Sequence, residues 1–213
     1  MLKFYCNPIS VNARRVWVYL LEKGIPFETI LVNLDGDHLD ENFTSINPLQ
    51  RVPVIIDSEF RVVESLAILD YLEAKYPTPS LLPKDPESIA IVRMVETITV
   101  VELQPTTIPL TRALVGLEVE PWRIEAAQQR VTAALQFFEE LIGDQTFFVK
   151  DKFTLADIVA GTLIASLPLE GYPRLKAWSE RLAQRDSWQQ TVAHPEAIEA
   201  ALPNIRKILE RRF

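Results

Sequence analysis

Cysteine and histidine are scarce in this sequence, which has Cys6 as its single cysteine and His38 and His194 as its two histidines. A single cysteine excludes an internal disulfide framework, a CxxC redox pair and a cysteine-based metal cluster. Two histidines provide few ligands for a zinc site. We therefore expect a protein without a metal cofactor.

Long apolar runs and an excess of positive charge are also missing. No stretch reaches the ~18 apolar residues that a membrane-spanning helix requires. The net charge is −7, whereas nucleic-acid binding normally uses a basic face. The first residues, Met1–Tyr5, do not resemble an export signal. We expect a cytoplasmic protein that binds neither nucleic acids nor membranes.

Prolines are concentrated in one place, with Pro77, Pro79, Pro83 and Pro86 inside ten residues. Proline removes backbone donors and restricts the preceding residue, so neither a helix nor a central strand continues through this segment. With 213 residues and 48% hydrophobic residues, the chain is long enough for two small globular domains. We predict domains at residues 1–76 and 87–213, joined by a linker at 77–86.

The first half alternates between strand and helix patterns. Short β-branched and aromatic runs predict strands at Leu2–Cys6, Phe27–Leu34, Val52–Asp57 and Phe60–Val63. Apolar residues at helical spacing predict helices at Ser10–Lys23, Leu39–Ser45 and Glu64–Tyr76. The order β-α-β-α-β-β-α predicts a parallel strand pair formed through a crossover and an antiparallel hairpin at the sheet edge.

The second half has only helical patterns. The predicted helices are Glu87–Leu117, Glu120–Ile142, Thr154–Leu167, Pro173–Arg185 and Ala197–Arg211. Pro105 and Pro109 should kink or split the first of them. The expected fold class is therefore an α/β domain followed by an all-α domain.

A serine stands where the first strand passes into the first helix. Ser10 ends the loop Asn7–Ser10, at a helix N-terminus where unpaired N–H groups and the helix dipole favour negative charge. The same position suits an ordinary N-cap serine. The local sequence alone does not decide between a cap and an anion-binding hydroxyl.

Two further segments combine backbone signals with polar residues. Pro53 stands where a strand should begin, which fits an edge-strand proline or a cis Val52–Pro53 peptide bond. Glu64 and Ser65 open a helix, so the N–H of Ser65 is positioned to hold a carboxylate, and the alternative is again capping.

A fourth segment is predicted to be structural. Thr154 and Asp157 have the spacing of a capping box, and Phe153 and Ile158 have the spacing of a hydrophobic staple. We therefore interpret Asp157 as a cap and not as a catalytic carboxylate.

Taken together and in this order, these segments resemble the cytosolic glutathione transferase superfamily over nearly the whole chain. The marks that carry the resemblance are Asn47–Pro53, Glu64–Leu69 and Thr154–Asp157. The resemblance implies a thioredoxin-like N-terminal domain followed by an all-helical domain. The region around Ser10 resembles the serine-type enzymes of the theta- and delta-like or bacterial classes.

The resemblance also implies roles for individual residues. Ser10 matches the catalytic serine that donates a hydrogen bond to the glutathione sulfur. Val52, before Pro53, matches the residue whose backbone pairs with the cysteinyl part of glutathione. Glu64 and Ser65 match the pair that holds the γ-glutamyl end.

The glycine end of glutathione is less well defined. His38 resembles a histidine that some members place near the glycine carboxylate, and an exposed loop histidine is the alternative. Gln50 occupies a second glycine-end position where certain members have histidine.

Tyr5 and Cys6 lie close to Ser10 in the sequence, so either could assist it, although a cysteine within a strand is usually buried and inert.

The function implied is conjugation of the glutathione thiolate to small hydrophobic electrophiles in detoxification, with peroxidase activity as a side reaction. Glutathione would be a co-substrate. The second domain would contribute the electrophile pocket, lined from its first helix by Ile98, Val101, Gln104, Thr107 and Leu110. A non-catalytic binding or stress-response module with the same fold is the alternative, and a glutathione-dependent isomerase or dehalogenase also remains open. The resemblance further implies a homodimer.

Overall fold

The computed structural model describes residues 1–33, 36 and 40–212. Its strands are β1 (Leu2–Cys6), β2 (Phe27–Leu31), β3 (Val54–Asp57) and β4 (Phe60–Val63). Its helices are α1 (Val11–Glu22), α2 (Glu41–Ile46), α3 (Ser65–Lys75), α4 (Pro86–Thr97), α5 (Thr107–Leu114), α6 (Pro121–Ile142), α7 (Leu155–Ile164), α8 (Pro173–Ala183), α9 (Asp186–Thr191) and α10 (Pro195–Arg212). Among these residues, no helix is long and apolar enough to cross a membrane.

The strands form one mixed sheet in the order β2-β1-β3-β4. β1 pairs in parallel with β2, whereas β3 runs antiparallel to both β1 and β4. Along β1, Leu2, Phe4 and Cys6 are buried, as the alternation of a half-covered strand requires. The predicted crossover pair and edge hairpin are therefore both confirmed.

The register of the sheet gathers three chain segments at one end. Tyr5 lies opposite Val54 in the β1–β3 pair, and Val54 lies opposite Val63 in the β3–β4 pair. The loop after β1, the segment before β3 and the start of the helix after β4 therefore leave the sheet at the same end. Gly24, with φ of 60°, ends α1 in a conformation that side chains disfavour and leads the chain back into β2.

The chain forms two compact units. The first contains Met1–Ser80 together with Asp186–Asn204, and the second contains Leu81–Arg185 together with the residues from Ile205 onward. In the second unit every residue of α7 is buried, so this helix is the centre of its core. The proposed domain boundaries at residues 76 and 87 stay a prediction.

The structure divides the predicted helix Glu87–Leu117. α4 ends at Thr97, a π-helical segment covers Ile98–Leu103, and a 3₁₀ turn covers Gln104–Thr106 before α5 begins. Pro105 has no N–H to donate to the preceding turn, so the regular ladder cannot continue through it. The predicted split at Pro105 is confirmed, whereas the short helix α9 was not predicted.

Candidate functional site

Two asparagine–proline loops shape the end of the sheet. The Asn7 carboxamide donates to the Val32 carbonyl at 2.9 Å and accepts from the Ile9 N–H at 3.1 Å. Asn47 repeats the pattern by donating to the Arg51 carbonyl at 2.8 Å and accepting from the Leu49 N–H at 3.1 Å. Both are Asx turns, in which the side-chain oxygen accepts from the backbone N–H two residues further along the chain. No role was predicted for either asparagine, although an asparagine before proline is itself a turn signal.

Ser10 is the N-cap of α1. Its Oγ accepts a hydrogen bond from the Ala13 N–H at 3.3 Å, and its own N–H donates to the Asn7 carbonyl at 3.0 Å. Within the described part of the chain, nothing accepts the Ser10 hydroxyl proton. The cap bond uses a lone pair, so the proton stays available to a ligand at the positive end of α1.

The Val52–Pro53 peptide bond is cis. Of the two predicted alternatives, an edge-strand proline and a cis peptide bond, the second is therefore confirmed. Val52 is buried, and among the described residues neither its N–H nor its carbonyl has a hydrogen-bond partner. A buried strand-like edge with free donor and acceptor groups can pair with an extended peptide. This backbone edge lies next to the Ser10 loop.

The start of α3 is left open. Glu64 has φ of 69° and its side chain makes no capping bond, so the first N–H groups of the helix have no side-chain partner from it. Ser65 is 6% exposed, and its hydroxyl has no partner within the residues the structure describes. A strained non-glycine residue before an uncapped helix costs free energy and leaves donors for an anion such as a carboxylate.

The structure therefore brings Ser10, Val52, Pro53, Glu64 and Ser65 to one end of the sheet. Gln50 belongs to the loop before Val52, with φ of 55°, and its amide donates to the Thr44 hydroxyl at 3.5 Å. His38 lies outside the described residues.

Of the two nearby residues that could assist Ser10, Cys6 does not have the environment of a reactive group. Burial raises the pKa of the Cys6 thiol to about 12, so this side chain stays protonated near neutral pH. The Tyr5 ring packs against Phe43 with 6.1 Å between ring centroids. No group of three or more potential metal ligands lies together within the described ranges.

The N-terminal domain of glutathione S-transferases matches residues 4–80, and their C-terminal domain matches residues 103–186. Maleylacetoacetate isomerase of Rattus norvegicus is 31% identical over 85% of this chain and 86% of its own length. Human glutathione S-transferase theta-2 is 32% identical over 85% of this chain and 80% of its own length. The chain belongs to the glutathione S-transferase family.

A solved glutathione S-transferase supports this assignment. The enzyme of Methylobacterium radiotolerans, in complex with glutathione sulfonate, superposes with a TM-score of 0.78 and 29% identity over 91% of this chain and 95% of its own. The prediction of a thioredoxin-like domain followed by a helical domain is thereby confirmed. As a member of this family the protein is a glutathione transferase.

Proposed function

We propose that this glutathione transferase conjugates small hydrophobic electrophiles, with Ser10 stabilising the glutathione thiolate. The observation that carries the proposal is the Ser10 hydroxyl, whose oxygen caps α1 while its proton is left for a ligand. An ordinary thiol has a pKa near 8.5, so only a small fraction is thiolate at neutral pH. One hydrogen bond to the charged sulfur contributes about 1.5–3 kcal/mol, and the N-terminus of α1 adds to it.

The reaction is a nucleophilic substitution or addition in which the glutathione sulfur attacks a carbon atom of the electrophile. The thiol proton passes to solvent, the thiolate forms the carbon–sulfur bond, and a leaving group departs with its electron pair where the electrophile carries one. In an addition, the anionic adduct takes up a proton from solvent. Ser10 keeps its own proton and acts as a hydrogen-bond donor throughout. Hydroperoxides would react with the same thiolate as a side reaction.

The remaining site residues would position glutathione along the sheet end. The Val52 main chain before cis-Pro53 would pair with the cysteinyl backbone. Glu64 and Ser65 would hold the γ-glutamyl end, where the Ser65 hydroxyl and the first N–H groups of α3 suit a carboxylate. We assign His38 and Gln50 to the glycine end.

The two domains would bind different substrates. Residues 1–76 would bind glutathione, residues 77–86 would link the domains, and residues 87–213 would contribute the electrophile pocket. We further propose that the protein is cytoplasmic and takes part in detoxification.

A homodimer is proposed because large apolar side chains are exposed. Phe60 is 57% exposed, and Met94 is 37% exposed. Such side chains are typical of surfaces that a second chain covers. Light scattering should then give about twice the chain mass of 24.3 kDa, whereas a species of the single-chain mass would contradict the dimer.

The test of the function combines binding and turnover. We expect the protein to be retained on immobilised glutathione and to consume glutathione with at least one member of a panel of isothiocyanates, halonitroarenes, epoxides and hydroperoxides. Retention without turnover on any member would support the binding-module alternative.

A second candidate is a glutathione-dependent isomerase, favoured by the 31% identity to maleylacetoacetate isomerase. In such a reaction the thiolate adds to a double bond, the adduct rotates and the thiolate leaves again. Conversion of a cis-enone diacid with no fall in the glutathione concentration would identify it. A stoichiometric fall in glutathione identifies the transferase.

A further inference from the structure

The short helix α2 leads directly into the loop that carries Gln50 and Val52, so the placement of α2 decides where that loop begins. The helix has six residues, and Phe43 is its one buried side chain. A helix of this length is unstable on its own in water. The position of α2 therefore depends on the contacts that the rest of the first unit makes with it.

An arginine from the sheet holds the C-terminal end of α2. Arg61 is exposed and lies on β4, where it pairs with Ile56 of β3. Its Nη1 donates to the Ser45 carbonyl at 3.0 Å and to the Ile46 carbonyl at 2.5 Å. The last carbonyls of a helix have no partner inside the helix, and a basic side chain can satisfy them. Arg61 therefore ties the end of α2 to the sheet.

The end of α2 is connected in turn to Gln50. Asn47 is the C-cap of α2 and is buried, and its carbonyl accepts from the Gln50 N–H at 2.8 Å. The Gln50 amide also makes a long contact of 3.5 Å with the hydroxyl of Thr44 on α2. With φ of 55°, Gln50 has a conformation that a non-glycine residue keeps only where its surroundings impose it. A displacement of α2 would therefore displace Gln50.

We propose that Arg61 is a positioning residue through which the protein selects glutathione by its glycine end. Arg61 acts through α2 and Gln50 and not by contact with the ligand. The inference rests on the proposed function, which assigns Gln50 to the glycine end. The other two parts of glutathione are assigned to Ser10, Val52, Glu64 and Ser65, and within the described part of the chain the Arg61 side chain bonds to none of these residues. A ligand that lacks the glycine should therefore not depend on Arg61.

The experiment compares glutathione with γ-glutamylcysteine, which lacks the glycine, by calorimetric titration of the full chain. Wild type should bind glutathione about tenfold more tightly, the effect of one charge-assisted contact. Arg61→Gln should weaken glutathione binding about fivefold and leave γ-glutamylcysteine binding unchanged, so that the preference falls to about twofold. Arg61→Lys keeps a donor for the two carbonyls and should retain most of the preference. Turnover at saturating glutathione should be the same in all three proteins.

The matched control is Arg181→Gln. Arg181 is also exposed and donates to a backbone carbonyl, that of Thr146, but it lies in the second unit. This variant should leave both affinities unchanged. Gln50→Ala tests the connection, because Arg61→Gln should cause no further loss of glutathione affinity in the Gln50→Ala background.

Three results would overturn the proposal: equal weakening of both ligands by Arg61→Gln, an unchanged preference in that variant, or additive losses in the double variant. Failure of the proposed function gives a different result. Wild type would then bind neither ligand, and both proposals would be wrong. Wild type that prefers glutathione independently of Arg61 would contradict the positioning role alone.

Discussion

The starts of α3 and α7 use the same kinds of residues and do opposite things with them. Each has a hydroxyl residue and an acidic residue at the head of the helix: Glu64 and Ser65 at α3, Thr154 and Asp157 at α7. At α7 the carboxylate and its donors satisfy one another. At α3 the acidic side chain makes no capping bond, and the hydroxyl of Ser65 has no partner among the described residues.

We call the start of α7 closed, because its polar groups are paired within the protein, and the start of α3 open. At the closed start, Asp157 accepts four hydrogen bonds. Its Oδ2 accepts from the Thr154 N–H at 2.9 Å and from the Thr154 hydroxyl at 3.1 Å. Its Oδ1 accepts from the Trp178 Nε1–H at 3.0 Å and from the Phe148 N–H at 3.2 Å. The predicted capping box is confirmed, and the carboxylate also ties α8 and the preceding loop to α7.

The difference teaches how one local motif serves stability or binding. At a closed helix start, such as that of α7, the hydrogen-bond donors are paired within the protein, and this network specifies one arrangement of the core. An open helix start, such as that of α3, lowers the free energy of unfolding through backbone strain and unpaired polar groups. Such strain persists where the surrounding structure supports it and where a ligand can pair with the free donors. The Ser10 N-cap lies between the two, because its oxygen is used within the protein and its proton is not.

The largest loss of stability should come from removing the Asp157 carboxylate, the acceptor of the closed start. Asp157→Ala leaves two backbone N–H groups, an indole N–H and a hydroxyl without their buried acceptor, so we expect a loss of about 4 kcal/mol in the free energy of unfolding. Urea denaturation measures it. The glutathione affinity of the folded fraction should be unchanged. A wild-type melting temperature with lost turnover would instead make Asp157 a site residue.

The same carboxyl should make stability depend on pH. Burial raises the pKa of Asp157 from 3.8 to about 6, so the folded state holds a proton that the unfolded state has released. This contribution is complete below pH 3.8 and is lost as the pH rises through about 6. The stability of wild type relative to Asp157→Asn should fall by about 2 kcal/mol from pH 4 to pH 7. A difference that is constant with pH would contradict the raised pKa.

The two hydroxyl residues should separate stability from binding. Thr154→Ala should lower the unfolding free energy by about 1–2 kcal/mol and leave glutathione affinity unchanged. Ser65→Ala should do the reverse, weakening glutathione binding about fivefold with stability within about 0.5 kcal/mol of wild type. Calorimetry of binding and thermal unfolding are both needed. Equal losses of stability in the two variants would remove the distinction between the two helix starts.

The smallest effect should come from relieving strain at α3. Glycine adopts the φ of Glu64 without a steric cost, so Glu64→Gly should raise the unfolding free energy by about 0.5 kcal/mol while weakening glutathione binding. Ala67→Gly in the same helix is the matched control and should lower it by about 1 kcal/mol. Destabilisation by both variants would mean that Glu64 is not strained.

Local patterns predicted much of this structure. The hairpin followed from two apolar runs separated by Ser58 and Glu59, and the cap of α7 followed from the spacing of Thr154 and Asp157. These features depend on residues a few positions apart, which a sequence displays directly.

Features that arise from packing were not predictable. The positive φ of Gln50 and Glu64 occurs without glycine, so no residue announces it. The six residues of α9 are too few for a helical period to stand out.

If the incompletely paired helix starts bind glutathione, the pKa of the glutathione thiol in the binary complex should depend on Ser10 and not on Thr154. Thiolate absorbance of bound glutathione is followed against pH for wild type, Ser10→Ala and Thr154→Ala. Ser10→Ala should raise the midpoint by about one to two pH units, since it removes one hydrogen bond to a charged sulfur. Thr154→Ala should leave the midpoint unchanged. An unchanged midpoint in Ser10→Ala, with unchanged turnover, would contradict the account and move the role to Tyr5 or the backbone.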